Sequence, residues 1–354
     1  MESVLVTGGA GFVGAALAIA AKRAYPRARI IAMDNLKRRG SELKLPILRE
    51  RGVEFIHGDI RNPEDFDPID GVDVVLECSA EPSILAGYGP SPGYVINTNL
   101  NGTVNCLDFA RRCGAATIFL STSRIYPIEA QNGLPYTEED TRFALAAEQS
   151  LPGVSERGIS EDFPLPGARS MYGATKLSSE LILHEYRETF GLKALVNRCG
   201  IIAGPWQMGK VDQGVVTLWA ARHVLGGSLD YIGYGGLGKQ VRDMLHLDDL
   251  VELILYQMER LDELDGETFN VGGGLENSVS LCELTKICEE LTGNSIEIGS
   301  VSEDRQGDVR IYYTDYARVS ERCGWRPERD IKTIVGDIVT WLEAHKEELG
   351  PILA

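Results

Sequence analysis

Tyr172-Gly-Ala-Thr-Lys176 sets a phenol and a primary amine four residues apart, and on a helix those two positions lie on one face. A lysine cation beside a tyrosine favours the phenolate, so the phenol can take a proton from a hydroxyl near neutral pH. The bare pattern recurs by chance in a chain with 13 tyrosines, and its context makes it specific. A hydroxyl-bearing segment, Leu120-Ser121-Thr122-Ser123, precedes it at the end of an apolar run. In a parallel sheet the carboxyl ends of the strands face the ligand crevice, which puts Thr122 where it can hydrogen-bond a reacting oxygen. The alternative for Thr122 is a polar strand terminus that satisfies local backbone.

A second chemical signature opens the chain. Val4-Leu5-Val6-Thr7 runs into Gly8-Gly9-Ala10-Gly11-Phe12-Val13-Gly14, and a second apolar run, Ile30-Ile31-Ala32-Met33, stops at Asp34. A strand here delivers the chain to a turn where side chains would collide with a pyrophosphate. Gly8 and Gly11 let the backbone approach, Gly14 lets a helix sit on the sheet, and the N–H groups of that helix face the phosphates. Asp34 would accept hydrogen bonds from the adenosine ribose and repel a 2′-phosphate, which favours NAD over NADP. Lys37, Arg38 and Arg39 soften that preference.

The elements that position these groups follow from periodicity. Runs at 53–57, 72–76, 117–120 and 194–197 alternate with helical stretches at 41–51, 94–113 and 172–190, which predicts an α/β Rossmann-type, doubly wound parallel sheet. The periodicity is absent between 127 and 169, a long Pro-, Gly- and Glu-rich loop of the kind that covers a site. Beyond residue 200 come a glycine-rich turn at 233–238, a strand at 268–271 and helices at 280–291 and 331–348. The expected division is a Rossmann domain over 1–199 and a smaller C-terminal α/β substrate domain over 200–354, with some segments packing back on the first.

Bulk properties narrow the partners. The formal net charge of −17 and the lack of a basic cluster argue against nucleic acid. No long apolar stretch or basic leader is seen, so no membrane segment is expected and a cytoplasmic protein is. The seven cysteines include no C-x-x-C pair, and the five histidines lack metal-ligand spacing, so reduced thiols and no metal are expected.

Taken together, these motifs resemble the extended short-chain dehydrogenase/reductases, in their nucleotide-sugar epimerase and dehydratase branch. The resemblance covers nearly the whole chain: Gly8-x-x-Gly11-x-x-Gly14, Asp34, His57-Gly58-Asp59-Ile60-Arg61, Asn99-Leu-Asn-Gly102-Thr103, Ser121-Thr122, Tyr172-x-x-x-Lys176 and Gln240-Val241-Arg242-Asp243. It implies NAD held by Gly8, Gly11, Phe12, Val13, Gly14, Asp34, Asn35, Asp59, Ile60, Ser79, Ala80, Asn99, Tyr172, Lys176 and Arg198. It implies a catalytic set of Thr122, Tyr172 and Lys176. It also implies a nucleotide sugar met by Glu81, Ser123, Arg124, Gln207, Gln213, Arg242, Arg305 and Asp308, with Arg242 and Arg305 on the diphosphate. For Arg242 the alternative is an ion pair with Asp243 or Asp248, and for Arg305 a surface charge. A homo-oligomer, dimer or tetramer, is implied as well.

Within the branch, dehydratases place a carboxylate just after the strand-end Thr, where this chain has Ser123 and Arg124; that favours an epimerase. Finer matches point to the CDP-paratose (CDP-tyvelose) 2-epimerases: Asp34-Asn-Leu-Lys-Arg-Arg-Gly40, Ala80-Glu81-Pro82-Ser83, Asp212-Gln213-Gly214, the 238–246 segment and Phe269-Asn-Val-Gly-Gly273. The chain departs from that pattern at Glu77 (usually His), Glu81 (usually Gln), Pro127 (usually Gly) and Met171 (usually Pro), positions around the sugar pocket. The implied chemistry is transient oxidation of C2 of a CDP-sugar to a keto sugar and its reduction on the other face, with NAD retained. The alternatives are a UDP-sugar 4-epimerase, a nucleotide-sugar dehydrogenase and a non-catalytic NAD-binding sensor.

Overall fold

Apolar runs separated by helices give the first of two units a seven-stranded parallel sheet. In this computed structural model, which describes residues 1–88, 91–209 and 213–353, the first five strands are β1 (Ser3–Thr7), β2 (Arg29–Asp34), β3 (Glu54–His57), β4 (Val74–Glu77) and β5 (Ala116–Thr122). The sheet order is Thr268–Val271, Ala194–Cys199, β5, β4, β1, β2, β3. Burial on both faces explains why these strands are near-continuous apolar runs: Val4, Leu5, Val6, Ile31, Ala32 and Met33 are all inaccessible to solvent. Behind the sheet, Phe66 and Phe109 pack with ring centroids 5.1 Å apart in a core shared with Leu107, Phe119 and Val196.

The unit takes in Met1–Ile125, Ser170–Arg198 and Leu250–Phe269; the second takes in Tyr126–Arg169, Cys199–Asp249 and Asn270–Ala354. The chain therefore passes between units several times. The 126–169 stretch groups with the second unit and 250–269 with the first; the expected division at 199 puts 126–169 in the Rossmann domain and has some later segments packing back on it. That stretch also contains structure too short to show a period: a helix at Ile128–Asn132 and two antiparallel pairs, Tyr136–Glu138 with Phe143–Leu145 and Val154–Ser155 with Gly158–Ile159. In the second unit, Val241–His246 pairs in parallel with Ile201–Ala203 and Ile311–Tyr312 and antiparallel with Ser278–Ser280. Helices Val215–Leu225, Leu281–Thr292 and Ile331–Ala344 pack together within that unit. The helix expected to run through 348 breaks at His345 and resumes at Lys346–Leu353.

The expected helix over 94–113 is interrupted as well. Gly93–Ile96 leads into a π-helical turn, Asn97–Asn101, before the regular helix Gly102–Cys113. Such widened turns appear where a side chain must be re-aimed, and here the side chain is Asn99. It is inaccessible to solvent; its Oδ1 accepts from the Glu81 N–H at 2.7 Å, and its Nδ2 donates to the Glu81 carbonyl at 3.0 Å and to Thr175 Oγ1 at 3.3 Å.

Thr175 belongs to the helix Met171–Phe190, whose start is set by sequence. Ser170 caps it, accepting from the Gly173 N–H at 3.1 Å, and Gly191 ends it in the left-handed region. Its buried face is polar, with Tyr172, Lys176, Ser179 and Glu180 all buried. Glu180 takes a buried ion pair from Arg198 at 2.8 Å and a hydrogen bond from the Ser121 hydroxyl. Removing one member of such a pair strands the other charge. Glu180→Ala is therefore expected to destabilise the protein by about 3–5 kcal/mol in denaturant unfolding, and Glu180→Ala combined with Arg198→Met to recover part of that loss.

Candidate active site

The glycine-rich turn forms the expected cradle. Gly8 has φ +64°, and a Cβ there would come within 3.0 Å of the Cys78 carbonyl; a Cβ on Gly14 would lie 2.2 Å from the Gly8 carbonyl. Neither position admits a side chain, and α1 (Phe12–Ala24) starts at the turn with no side-chain cap on its first N–H groups. A backbone open to close approach, ending in unclaimed helix donors, fits a dinucleotide pyrophosphate.

Asp34 stands at the end of β2, as expected, with a role in the turn itself. One carboxylate oxygen accepts from the Ala10 N–H at 3.1 Å and the other from the Leu36 N–H at 2.8 Å. Burial raises its pKa, against these hydrogen bonds and the nearby Lys44 ammonium. Lys44 is itself buried, and that burial pushes its pKa down to about 8 in spite of Asp34. Sequence reading missed Lys44, since nothing in a short helical stretch distinguishes a lysine folded under the cofactor strand from a solvated one. Next to it, Asn35 donates to Asp59 at 2.9 Å, and Arg61 holds Asp59 at 2.5 Å, which brings that carboxyl down to about 2. Ile60 is buried, while Phe12, Val13, Ser79 and Ala80 are half-buried.

At the carboxyl ends of the central strands, Thr122 is buried and accepts from the Arg124 N–H at 3.2 Å; Ser123 is buried beside it and Arg124 is half-buried. The Met171–Phe190 helix packs on β5 and on the Ser123–Ile125 turn, bringing its buried Tyr172 and Lys176 to the same end of the sheet. The Lys176 ammonium lies over the Phe119 ring, 4.2 Å from its centroid, and 3.8 Å from the carboxylate of Glu77. Glu77 is completely buried at the end of β4. Burial raises its pKa, while Lys176 pulls it back.

Two residues expected at the cofactor have internal partners: Asn99 holds the 81 backbone, and Arg198 lies on Glu180. Glu81 is half-buried, and its side chain accepts from the Ser83 N–H at 3.3 Å.

The remaining expected residues lie in the second unit. Arg242 donates to Asp308 at 2.6 Å and to the Val241 carbonyl at 2.6 Å, so its carboxylate partner is Asp308 rather than Asp243 or Asp248. The Arg305 carbonyl accepts from the Asp308 N–H at 3.2 Å. Gln207 is buried and occupied internally, donating to the Ile202 carbonyl and accepting from Thr217. Gln213 is half-buried, and Asp212 lies outside the described residues. Sequence reading missed Arg310, whose guanidinium carbon lies 4.3, 5.2 and 5.8 Å from the ring centroids of Tyr136, Tyr234 and Phe143. Tyr234 is pushed up to about 12, first by burial and then by Asp308. Three aromatics scattered between positions 136 and 234 give no linear sign of a common cluster.

Among the described residues no helix is long and apolar enough to cross a membrane, and no three His, Cys, Asp or Glu side chains converge as metal ligands.

The chain is similar to known proteins over nearly their full length. The chain is 29% identical to the CDP-paratose 2-epimerase of Salmonella typhi, over 96% of this chain and 98% of that protein. It is 27% identical to a dTDP-glucose 4,6-dehydratase of Streptomyces antibioticus, over 99% and 95%. The UDP-glucose 4-epimerase of Thermotoga maritima, solved with UDP-glucose, superposes with a TM-score of 0.77 at 25% identity, over 98% of this chain and all of that one. The model of the NAD dependent epimerase/dehydratase family matches residues 4–272, and the chain belongs to that family.

Proposed function

We propose that the protein is an NAD-dependent epimerase that inverts C2 of a CDP-sugar of the CDP-paratose or CDP-glucose type. The observation that carries this reading is the strand end after Thr122: Ser123 and Arg124 follow it, with no carboxylate to protonate a leaving hydroxyl. The likeness to a CDP-paratose 2-epimerase over 96% of the chain supports the choice of sugar and carbon.

When bound, NAD supplies a two-electron acceptor that returns the same electrons within one cycle. Every other requirement falls to the chain. Tyr172 takes the proton of the C2 hydroxyl and later gives it back; the Lys176 ammonium stabilises the phenolate between those events. Thr122 hydrogen-bonds the same sugar oxygen and limits its swing. Arg242, oriented by Asp308, and Arg305 hold the diphosphate, leaving the sugar free to turn its other face. The glycine cradle keeps the cofactor in place through that turn.

The likeness to a UDP-glucose 4-epimerase favours a second reading, the same chemistry on the neighbouring carbon of a UDP-sugar. Proton NMR of CDP-glucose, CDP-paratose and UDP-glucose, each incubated with the protein in D2O without added cofactor, separates the two. Formation of the C2 epimer with no deuterium at C2 is expected; inversion at C4 of the UDP-sugar would select the second reading, and net accumulation of NADH would exclude both.

Tyr172→Phe is expected to lower kcat by at least about a thousandfold, the scale of a lost general base, while bound NAD and melting temperature stay unchanged; full activity in that variant would exclude the mechanism. Arg242→Ala is expected to raise KM roughly ten- to hundredfold, the equivalent of about 1.5–3 kcal/mol for a charged hydrogen bond, with little change in kcat.

A further inference from the structure

We propose that Glu77 is the buried counter-ion that keeps Lys176 an ammonium and holds it in place beside Tyr172, so that the tyrosine–lysine pair works as a positioning triad. This rests on the reading of Tyr172 and Lys176 given above.

Packing alone gives no reason for a carboxyl at this position. Glu77 ends β4 between Thr7 of β1 and Phe119 of β5, in a strand whose other residues, Val74, Val75 and Leu76, are apolar and buried on both faces. A leucine would fill that space without desolvating a charge. Glu77 is fully buried, Lys176 is 2% exposed, and they lie 3.8 Å apart. After Lys176, the Ser79 N–H and the Thr103 hydroxyl also favour the charged form of Glu77, but Lys176 is the one of these that carries a countercharge. The Phe119 ring beneath the ammonium supplies a quadrupole but no countercharge.

The neighbouring groups are otherwise engaged or neutral. Glu180, one turn along the helix from Lys176, is held by Arg198 and Ser121. Cys106 on the Gly102–Cys113 helix is a thiol that burial keeps protonated, and Cys78, Thr7 and Thr103 add no charge. A buried ammonium alone sheds its proton, and a buried carboxylate alone takes one; together each keeps its charge. Glu77 thus extends upward the pH range in which Lys176 can stabilise a phenolate.

Glu77→Gln keeps the shape and removes the charge. The alkaline limb of the kcat–pH profile, on which Lys176 loses its proton, is expected to move down by about one pH unit or more, with the acid limb moving less. KM is expected to stay within about twofold, since no contact to the diphosphate changes, and Glu77→Asp is expected to restore most of the limb. A reading that needs no turnover is 15N NMR of lysine-labelled, NAD-loaded protein, with the Lys176 signal assigned by its loss in Lys176→Met. In Glu77→Gln the pH at which that amine loses its proton should fall by a comparable amount.

Identical Lys176 titrations in the native protein and Glu77→Gln would overturn the proposal, because Glu77 would then be a neutral acid. Should Glu77→Gln fail to fold, the native titration decides: a proton retained above about pH 9 supports the counter-ion, and one lost below that overturns it. A shifted Lys176 titration without turnover of any nucleotide sugar would leave the counter-ion standing and remove the epimerase reading.

Discussion

A lysine that must remain charged while buried at the end of a parallel sheet is the constraint on which the first unit is organised. The helix that bears it turns a polar stripe inward, with Tyr172, Lys176 and Glu180 at successive turns. Apolar stripes tolerate some rotation and slippage, because one methyl group replaces another at small cost. Ionic stripes do not, since each charge that leaves its partner is stranded in a low-dielectric interior. Pairing Glu180 with Arg198 and Lys176 with Glu77 therefore fixes the rotation of the helix about its axis, and that rotation aims Tyr172. Asn99 adds a third restraint: the widened turn at 97–101 lets its amide tie the backbone at 81 to Thr175 of the same helix.

The cofactor cradle obeys the same economy of partners. Asp34 ties the glycine turn through Ala10 and caps its own loop through Leu36, so the turn has its shape before any ribose arrives. Each carboxylate oxygen keeps a lone pair for a sugar hydroxyl. A cradle assembled in advance spends little binding energy on ordering, which suits the retained NAD of the proposed cycle.

What could be read from the sequence was what depends on local chemistry. Gly8 is dictated by its left-handed backbone and Gly14 by clashes within its own turn, the strands by apolar runs long enough for both faces of a sheet, and the Tyr172–Lys176 pair by helical spacing. What could not be read depends on partners distant in sequence. Glu77 in Val-Val-Leu-Glu reads as a departure from the family pattern near the sugar pocket until Lys176, 99 positions on, is known to lie beside it. Arg198 is expected at the cofactor, and that Glu180 pairs with it cannot be read from their positions in the sequence. The Val241–His246 strand, Val-Arg-Asp-Met-Leu-His, has neither an alternating nor a continuous apolar pattern, and it shows as a strand only through its three pairing neighbours. The 126–169 stretch fails for a different reason: its strands have two or three residues, shorter than one readable period.

The proposed function asks the second unit to receive an anion in a chain of net charge −17. Long-range attraction is unfavourable, so recognition has to come from a few cations kept ready at short range. Each such cation needs a holder when no anion is present. Arg242 is held by Asp308, and Arg310 lies among Tyr136, Phe143 and Tyr234 rather than in bulk water. A single weak anion gains little by displacing an existing carboxylate partner, because one ion pair is exchanged for another. A ligand with two linked phosphates offers more acceptor oxygens than Asp308 alone, and satisfies a second donor in the same event. On the proposed function, selectivity for a diphosphate over a single phosphate would follow from the partner already in place, with the acid that occupies the arginine setting the threshold an incoming ligand must exceed.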